Sequence, residues 1–184
     1  LGSNLLMVMP GAPRTPGVRP TAGSMKSLKV ADYEAIAKLD GVKAVSPMTN
    51  GAYVVIYQNK NWTTSVSGVN ANYLDVNNWT MKSGRFLSNK NIQNRERVAV
   101  VGKTVAKNLF GDEDPVGAEI RVRNIPFRVI GVLNSKGSGA MGNDQDDMVI
   151  IPYTTAMERV DGIDYLRMLY VVAKDENGID RLQS

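Results

Sequence analysis

The chain has 184 residues, of which 43% are hydrophobic and 22% are charged, the usual balance of a folded globular protein. It contains neither cysteine nor histidine, which excludes disulfides, thiolate catalysis, cysteine-based zinc sites and the common histidine triads. The net charge of +4 is small and the basic residues are scattered, which argues against nucleic-acid binding. The longest apolar runs, Leu5–Met9 and Met148–Ile151, have the length of strands rather than of membrane-spanning helices.

The first part of the chain predicts a β-α-β unit, the shape of half a ferredoxin-like layer. Its elements are a buried strand, a helix with one apolar stripe and a glycine cap, and a second strand: Leu5–Met9, Leu28–Asp40 and Val42–Val45. Residues 12–26, rich in proline and glycine, separate the first strand from the helix and predict a mobile loop.

Shorter elements follow. Two β-prone runs flank the polar residues 58–61 and predict a hairpin over 52–69, whose arms could reach beyond the lobe as a ribbon. The other predicted elements are an irregular helix at 73–79, a turn at 84–86, a polar stretch at 89–96, strands at 97–101, 118–123, 125–133, 148–151 and 166–173, and a helix at 103–110. Thr154 or Thr155 is predicted to cap a short helix ending at Val160, and residues 134–147 to form a second flexible loop.

Because helices and strands alternate in short pieces, the predicted fold class is α+β. The block 68–160 behaves as an insertion between the first β-α-β unit and the final strand, so we expect one lobe from 1–67 with 161–184 and an inserted, β-rich lobe from 68–160. The final strand is expected to place Leu166, Met168, Tyr170 and Val172 on one face. The residues predicted to be buried are Tyr33, Ile36, Val45, Leu109, Phe110, Phe127, Val129, Ile130, Ile150 and Tyr170.

Two motifs suggest ligands but lack the residues that those ligands require. Gly102-Lys103-Thr104 resembles the end of a phosphate-binding loop, but Arg97 stands where the first glycine is needed, so a helix start is the better interpretation. Asp144, Asp146 and Asp147 suggest a cation, but no calcium-loop spacing or late glutamate completes the site. We therefore interpret the three aspartates as a solvated acidic loop that can order against a basic partner surface, and predict no cofactor and no metal.

The sequence contains few candidates for catalytic residues. Ser135 with Lys136, or Ser88 with Lys90, are conceivable serine–lysine pairs, yet both lie on polar or glycine-rich loops that cannot bury a lysine. Carboxylate pairs of the glycosidase kind stay open, because they depend on the fold. The two tryptophans are expected to pack, although Trp62, near the hairpin tip, is also a candidate partner contact.

Several short segments occur in the order typical of one family. They are GSNLLMVMPG at 2–11, VKAVSP at 42–47, VNANYL at 69–74 with KSGRF at 82–86, LFG at 109–111, DPVG at 114–117, IPFRVIGV at 125–132 and IPYTT at 151–155. In this order the chain resembles the periplasmic core domain of MacB/FtsX-type ABC transporter permeases. The family continues through another helix and strand, so the chain is expected to be trimmed at its C-terminal end.

The resemblance implies a non-catalytic extracytoplasmic domain of an inner-membrane permease, with a porter-like lobe and an inserted lobe called Sabre. It further implies that the domain transmits ATP-driven motion, pairs with a second permease copy, docks a membrane-fusion adaptor that leads to an outer-membrane channel, and depends on an ABC ATPase elsewhere. The alternatives are a lipoprotein-releasing or cell-division-type permease domain, or a free-standing ligand-binding or adhesion domain, which would need a deep apolar pocket.

Overall fold

A computed structural model describes residues 5–8, 29–139, 142–163, 165–166 and 168–173. The strands are β1 (Leu5–Val8), β2 (Val42–Met48), β3 (Gly51–Tyr57), β4 (Lys60–Val69), β5 (Met81–Gly84), β6 (Val98–Val101), β7 (Glu119–Val122), β8 (Ile125–Leu133), β9 (Met148–Pro152) and β10 (Met168–Ala173). The helices are α1 (Val30–Ala37), α2 (Tyr73–Val76), α3 (Asn89–Gln93), α4 (Lys103–Phe110) and α5 (Tyr153–Thr155), and α5 continues as a π-helix, Ala156–Asp161. The mixed, strand-rich class agrees with the α+β prediction.

The two ends of the described chain meet in one small sheet, called here the outer sheet. β10 lies in its centre and pairs antiparallel with β1 on one side and β2 on the other, so β1 and β2 run parallel. Helix α1 connects these two strands, which confirms the predicted β-α-β unit, with β10 inserted between its strands. Leu5 pairs with Val172, so the two ends of the described chain lie at the same end of the sheet.

The remaining long strands close into a ring. Its order is β4-β3-β7-β8-β6-β9, and β9 returns to β4 through a parallel pairing. Alternate side chains point inwards, and helix α4 closes one end with its own apolar face. The ring core is Val55, Val66, Ala99, Val101, Val105, Leu109, Phe110, Ile120, Val122, Phe127, Val129, Val132, Val149, Ile151, Ala156 and Val160.

One long hairpin joins the outer sheet to the ring. Met48 of β2 pairs with Val69 of β4, and Gly51 of β3 pairs with Val66 of the same strand. Between them, Thr49 N donates to Gly68 O at 2.8 Å, and Gly68 N donates to Thr49 O at 3.2 Å. β2 and β3 therefore continue in one register against β4, and the run 42–57 is about 50 Å long at a rise of roughly 3.3 Å per residue.

Burial agrees with the sequence for seven of the ten predicted core residues: Val45, Leu109, Phe110, Phe127, Val129, Ile130 and Ile150. Tyr33, Ile36 and Tyr170 are half-buried instead. In β10 Met168, Tyr170 and Val172 share one face, as predicted, but the buried face is the opposite one, formed by Leu169, Val171 and Ala173. Its residues form a continuous apolar run, in which periodicity cannot distinguish the two faces.

Three other predictions need correction. The polar stretch 89–96 contains helix α3, whose N-cap Ser88 accepts a hydrogen bond from Asn91 N at 3.2 Å. The hairpin arms are not a free ribbon, because β3 also pairs with β7 and β4 also pairs with β9. Thr155 stands at the N-cap position of the π-helix, but neither its hydroxyl nor that of Thr154 makes a capping hydrogen bond; they donate to carbonyls at the end of α3 and beyond it.

Two mobile loops were predicted, at 12–26 and 134–147. Residues 12–26 lie outside the described residues, as do residues 140 and 141 of the second loop.

Strands β3 and β4 were expected mainly in the first lobe, but they supply ring pairings over residues 51–69.

Candidate partner-binding site

Asp146 is enclosed by its own loop. The loop between β8 and β9 returns on itself, and the Asp146 carboxylate accepts hydrogen bonds from Ser135 Oγ at 2.6 Å, Lys136 N at 2.7 Å and Gly137 N at 3.1 Å. Only 4% of the residue is exposed. The expectation of a solvated acidic side chain was wrong for Asp146, which instead holds the start and end of the loop together.

The same contacts set the charge state of this carboxyl. Burial alone would raise the pKa of Asp146, but the hydrogen bonds from Ser135, Lys136 and Gly137, together with the positive charge of Lys103, outweigh burial and hold the pKa below its ordinary value. Asp146 is therefore a charged, fully bonded structural group.

Trp62 and Asp147, both predicted partner contacts, touch each other. Trp62 Nε1 donates to Asp147 Oδ1 at 2.9 Å, and Thr64 Oγ1 donates to the same oxygen at 2.7 Å. Both donors lie on β4, so this carboxylate ties the loop to the ring. Sequence reasoning missed the contact because β4 and the loop are more than eighty residues apart.

Asp144 is the exposed member of the predicted cluster. Its carboxylate accepts from Thr104 Oγ1 at 2.5 Å, at the start of α4, and from Asp146 N at 2.9 Å. The carboxylates of Asp144, Asp146 and Asp147 thus accept hydrogen bonds from three different sets of donors. Within the described part of the chain, no group of three or more acidic side chains is placed to hold a metal ion.

Lys136 attaches the loop to the outer edge of the ring, an anchor that the sequence did not indicate. Its ammonium lies 4.2 Å from the centre of the Trp79 ring and donates to Asn77 O. Burial lowers the pKa of Lys136. The cation–π contact and the hydrogen bond stabilise the loop against the turn that follows α2.

The start of α4 shows what the Gly-Lys-Thr motif does. Thr104 N donates to Asp146 O at 3.2 Å, and Gly102 N donates to Met148 O at 2.9 Å. A Cβ atom at Gly102 would lie 2.1 Å from Asp146 O, so glycine is needed here for close backbone packing. These amides bind backbone carbonyls, and the motif serves to dock the acidic loop on the helix.

An open cleft of about 470 Å³ lies between α1 and the ring. Tyr33, Asn70, Asn72 and Tyr153 contribute to its wall, and Asn70 Nδ2 donates to Tyr33 Oη at 3.2 Å. Burial, and then the nearby Tyr33 and Glu34, raise the pKa of Tyr153 to about 12. The cleft is polar and open, unlike the deep apolar pocket that the ligand-binding alternative predicts.

This fold and its sequence match one family of membrane-transporter domains. The profile of the family described as MacB-like periplasmic core domain matches residues 1–184. The chain belongs to this family. It is thus the MacB-like periplasmic core domain of an ABC transporter permease, as the sequence resemblance predicted.

Individual relatives agree with the family match. The macrolide export ATP-binding/permease protein MacB of Rhodospirillum rubrum is 44% identical over all of this chain, and that of Chlorobium luteolum is 37% identical over 98% of it. The chain spans only 28% and 27% of the length of these two proteins. Among the described residues, no helix has the length and apolar character needed to cross a membrane.

Solved structures show the same fold. The periplasmic region of MacB from Actinobacillus actinomycetemcomitans superimposes with a TM-score of 0.81 at 25% identity, covering 99% of this chain and 80% of that one. The extracellular domain of the noncanonic ABC-type transporter YknZ from Gram-positive bacteria gives a TM-score of 0.74 at 21% identity, covering 84% of this chain and 78% of that one. The MacB-like fold therefore includes both the outer sheet and the ring.

Proposed function

We propose that this domain transmits ATP-driven motion from the inner membrane to partners in the periplasm, and that it has no catalytic role of its own. The observation that carries the proposal is the unbroken register of β2 and β3 against β4. The run of β2 and β3 begins beside the two ends of the described chain and extends along the ring to the tip of the hairpin between β3 and β4. A movement of flanking membrane segments would reach the ring through a continuous hydrogen-bonded ladder rather than through a flexible linker.

The joint between outer sheet and ring supports this role because it is tightly packed. Thr49 and Gly68 are buried, and Thr49 Oγ1 also accepts from Gly68 N at 2.9 Å. A Cβ atom at Gly68 would lie 2.6 Å from Ala156 Cβ and 2.7 Å from Tyr153 Cα. The helical segment 153–161 therefore packs closely on the joint and stiffens it.

The proposed partners follow from the family and from the names of the relatives. The domain would work as a pair, with a second permease copy, and meet a membrane-fusion adaptor leading to an outer-membrane channel. ATP hydrolysis would occur on an ABC ATPase domain or subunit elsewhere, since the curated relatives are named ATP-binding/permease proteins. We place the whole protein in the inner membrane, with this domain on the periplasmic side.

We also propose a porter-like lobe around the outer sheet and an inserted lobe around the ring. The ring pairings of β3 and β4 support a boundary near residue 50 rather than 67. Of the four predicted partner contacts, Asp144 is exposed and Trp62 and Asp147 are half-buried, so these three keep surface for a partner, while Asp146 is enclosed by its loop.

The transmission role can be tested by loosening the joint in the full transporter. Insertion of two glycines between Thr49 and Asn50 should abolish export while the ATPase activity of the detergent-solubilised transporter stays within about twofold of wild type. The matched control is the same insertion between Gly142 and Asn143, in an exposed loop, which should retain export. Protease resistance and membrane yield would show that both variants fold.

Thr49→Val offers a milder second variant, because it only replaces the hydroxyl to which Gly68 N donates with a methyl group. It should reduce export partially without changing the yield. Export at the wild-type rate by the folded insertion variant would refute transmission through the hairpin.

A further inference from the structure

One side of the ring is left uncovered by the described helices. On β7, Ile120 and Val122 are fully buried in the ring core, whereas Glu119 and Arg121 point outwards and are exposed. The same alternation continues on both neighbouring strands. The exposed or half-buried outward residues are Asn61 and Thr63 on β4, Val54 and Ile56 on β3, Glu119 and Arg121 on β7, and Pro126 and Arg128 on β8; with Arg97 at its rim, this set is called the arginine face.

The pairing register places these side chains next to each other. Arg121 is opposite Ile56 on one side and Pro126 on the other, and Glu119 is opposite Arg128. Two shallow depressions of about 350 and 300 Å³ lie on the face and share Glu119 as a common wall. The first also contains Arg121, and the second contains Arg97 and Arg128.

The arginine side chains of this face do not stabilise the fold through hydrogen bonds or ion pairs. Arg97, Arg121 and Arg128 make no side-chain hydrogen bond or ion pair with any other described residue. Other arginines of the described chain do have such partners, among them Arg95, whose Nε lies 3.0 Å from Glu158 Oε2, and Arg123, whose Nη1 donates to Val160 O at 2.7 Å. Three unpaired guanidinium groups therefore surround a single carboxylate, Glu119.

The face also carries apolar side chains. Val54 is 48% exposed, one of two large hydrophobic side chains that are this open among the described residues, and it lies two residues from the half-buried Ile56, which is opposite Arg121. Arginine interspersed with apolar side chains is the composition of protein–protein interfaces, which are enriched in arginine. Arginine also forms planar, paired hydrogen bonds with carboxylates.

The position of the face fits a partner on the far side from the membrane. Ile56 and Arg121 lie one residue pair away from the last pair of the hairpin, Tyr57 with Lys60, and the two ends of the described chain lie at the other end of the run 42–57. An acidic corner, Asp112–Asp114, borders the tip, where Tyr57 Oη donates to Glu113 Oε2 at 3.2 Å. A partner facing both regions would find opposite charges side by side, which fixes its orientation.

We propose that the arginine face docks a flat, acidic surface of the adaptor protein, through carboxylates that pair with Arg121, Arg128 and Arg97, with Ile56 and Val54 as apolar contacts at one side. This rests on the proposed function, because it assumes that an adaptor meets this domain. The same face of a second copy is a poor occupant, since three guanidinium groups would meet three others.

The test uses the full-length transporter in detergent and its purified adaptor, with binding measured by biolayer interferometry at several salt concentrations. The double variant Arg121→Glu/Arg128→Glu should weaken binding by about tenfold or more and reduce its salt dependence. Lys43→Glu, an exposed charge reversal on β2 of the outer sheet, is the matched control and should bind as wild type does. Since both arginines are exposed, the melting temperature of the double variant should stay close to that of wild type.

The outcomes separate the two proposals. Normal adaptor binding by the double variant would refute the arginine face and leave the proposed function standing. A wild-type transporter that binds no adaptor would overturn both. Loss of self-association instead of adaptor binding would assign the face to a second copy, and loss of binding to vesicles with anionic lipids would assign it to a membrane; either result overturns the proposal.

Discussion

Asp146 shows how one carboxylate can organise a loop that contains several glycines. Its two oxygens accept three hydrogen bonds from residues that lie nine to eleven positions earlier in the chain. The backbone of the same residue accepts from Thr104 at the start of α4. The loop and the helix start therefore meet at a single residue just before β9, and loss of its side chain should loosen the loop that positions this backbone.

This arrangement predicts a particular dependence of stability on pH. The pKa of Asp146 in the folded protein lies below the 3.8 of a free carboxyl, so the folded state favours the charged form. Its contribution to the free energy of unfolding is complete above about pH 5 and is lost as pH falls below about 4 towards the folded pKa.

Asp146→Asn should lower the free energy of unfolding by about 1–3 kcal/mol at pH 7, because a buried set of donors loses a charged acceptor. The difference from wild type should shrink below about pH 4. Urea denaturation at pH 7, 5 and 3.5 measures it, and a difference that does not change with pH would show that charge is not what Asp146 supplies.

Phe127 lies at the centre of the ring core with 1% of its surface exposed. Phe127→Ala should cost about 3–5 kcal/mol, because the ring of strands cannot collapse to fill the cavity. Thr63→Ala, at an exposed position of β4, should cost below about 1 kcal/mol and serves as the control. A loss below about 1 kcal/mol for Phe127→Ala would contradict the assignment of this side chain to the ring interior.

At the scale of elements, the sequence predicted which segments form strands and helices better than which sides they bury. The sequence predicted the facing of β7 correctly, because charged and apolar residues alternate along this strand and the apolar ones are buried. Tyr33 and Ile36 form the predicted apolar stripe of α1, but the described residues cover that helix only partly. How completely a stripe is buried depends on neighbours from elsewhere in the chain.

Helix α3 was missed although a local signal exists. Ser88 and Asn91 form a reciprocal capping box, in which Ser88 N also donates to Asn91 Oδ1 at 2.9 Å. Asparagine replaces the usual glutamate or glutamine at the third position, so the pattern was not recognised. A serine followed three residues later by such an asparagine should therefore be read as the start of a helix, even in a polar stretch.

The joint between β2 and β3 should tolerate no added atoms at Gly68. In Gly68→Ala, the new methyl group would lie within 2.7 Å of Tyr153 Cα and 2.6 Å of Ala156 Cβ, so the helical segment must move. We expect a loss of about 1–3 kcal/mol in the free energy of unfolding.

Ser65→Ala, three residues earlier on β4 and half-exposed, is the matched control and should change the free energy of unfolding by less than about 1 kcal/mol. Thermal unfolding of both variants provides the measurement. An unchanged melting temperature for Gly68→Ala would mean that the joint is looser than its contacts indicate.

At the scale of the whole molecule, the closure of the ring was beyond sequence reasoning. It depends on the parallel pairing of β4 with β9, between Ser65 and Met148 at its start, and on β3 with β7. Nothing local in β4 or β9 encodes its distant partner, since the sequence predicts each of them only as a strand. Prediction of the candidate partner-binding site from the sequence was limited in the same way, because the contact of Trp62 with Asp147 exists only once the ring is closed.

The isolated domain should be a monomer in dilute solution. The parent dimer is expected to be held chiefly by its membrane and nucleotide-binding parts, and the exposed arginine face repels its own copy. Sedimentation velocity at about 10 and 100 μM should give one species with the mass of a single chain. A dimer at the lower concentration would show that the periplasmic domains associate by themselves.

The shared register of β2 and β3 also limits how this family can change in length. Side chains on a strand alternate, so one residue added between Thr49 and Asn50 would turn Val55 out of the ring and Val54 into it. Two added residues would restore the parity but would still interrupt the single register of β2 and β3 against β4. Related sequences should therefore differ more freely in the loop between β8 and β9, while length changes at residues 49–50 should be absent.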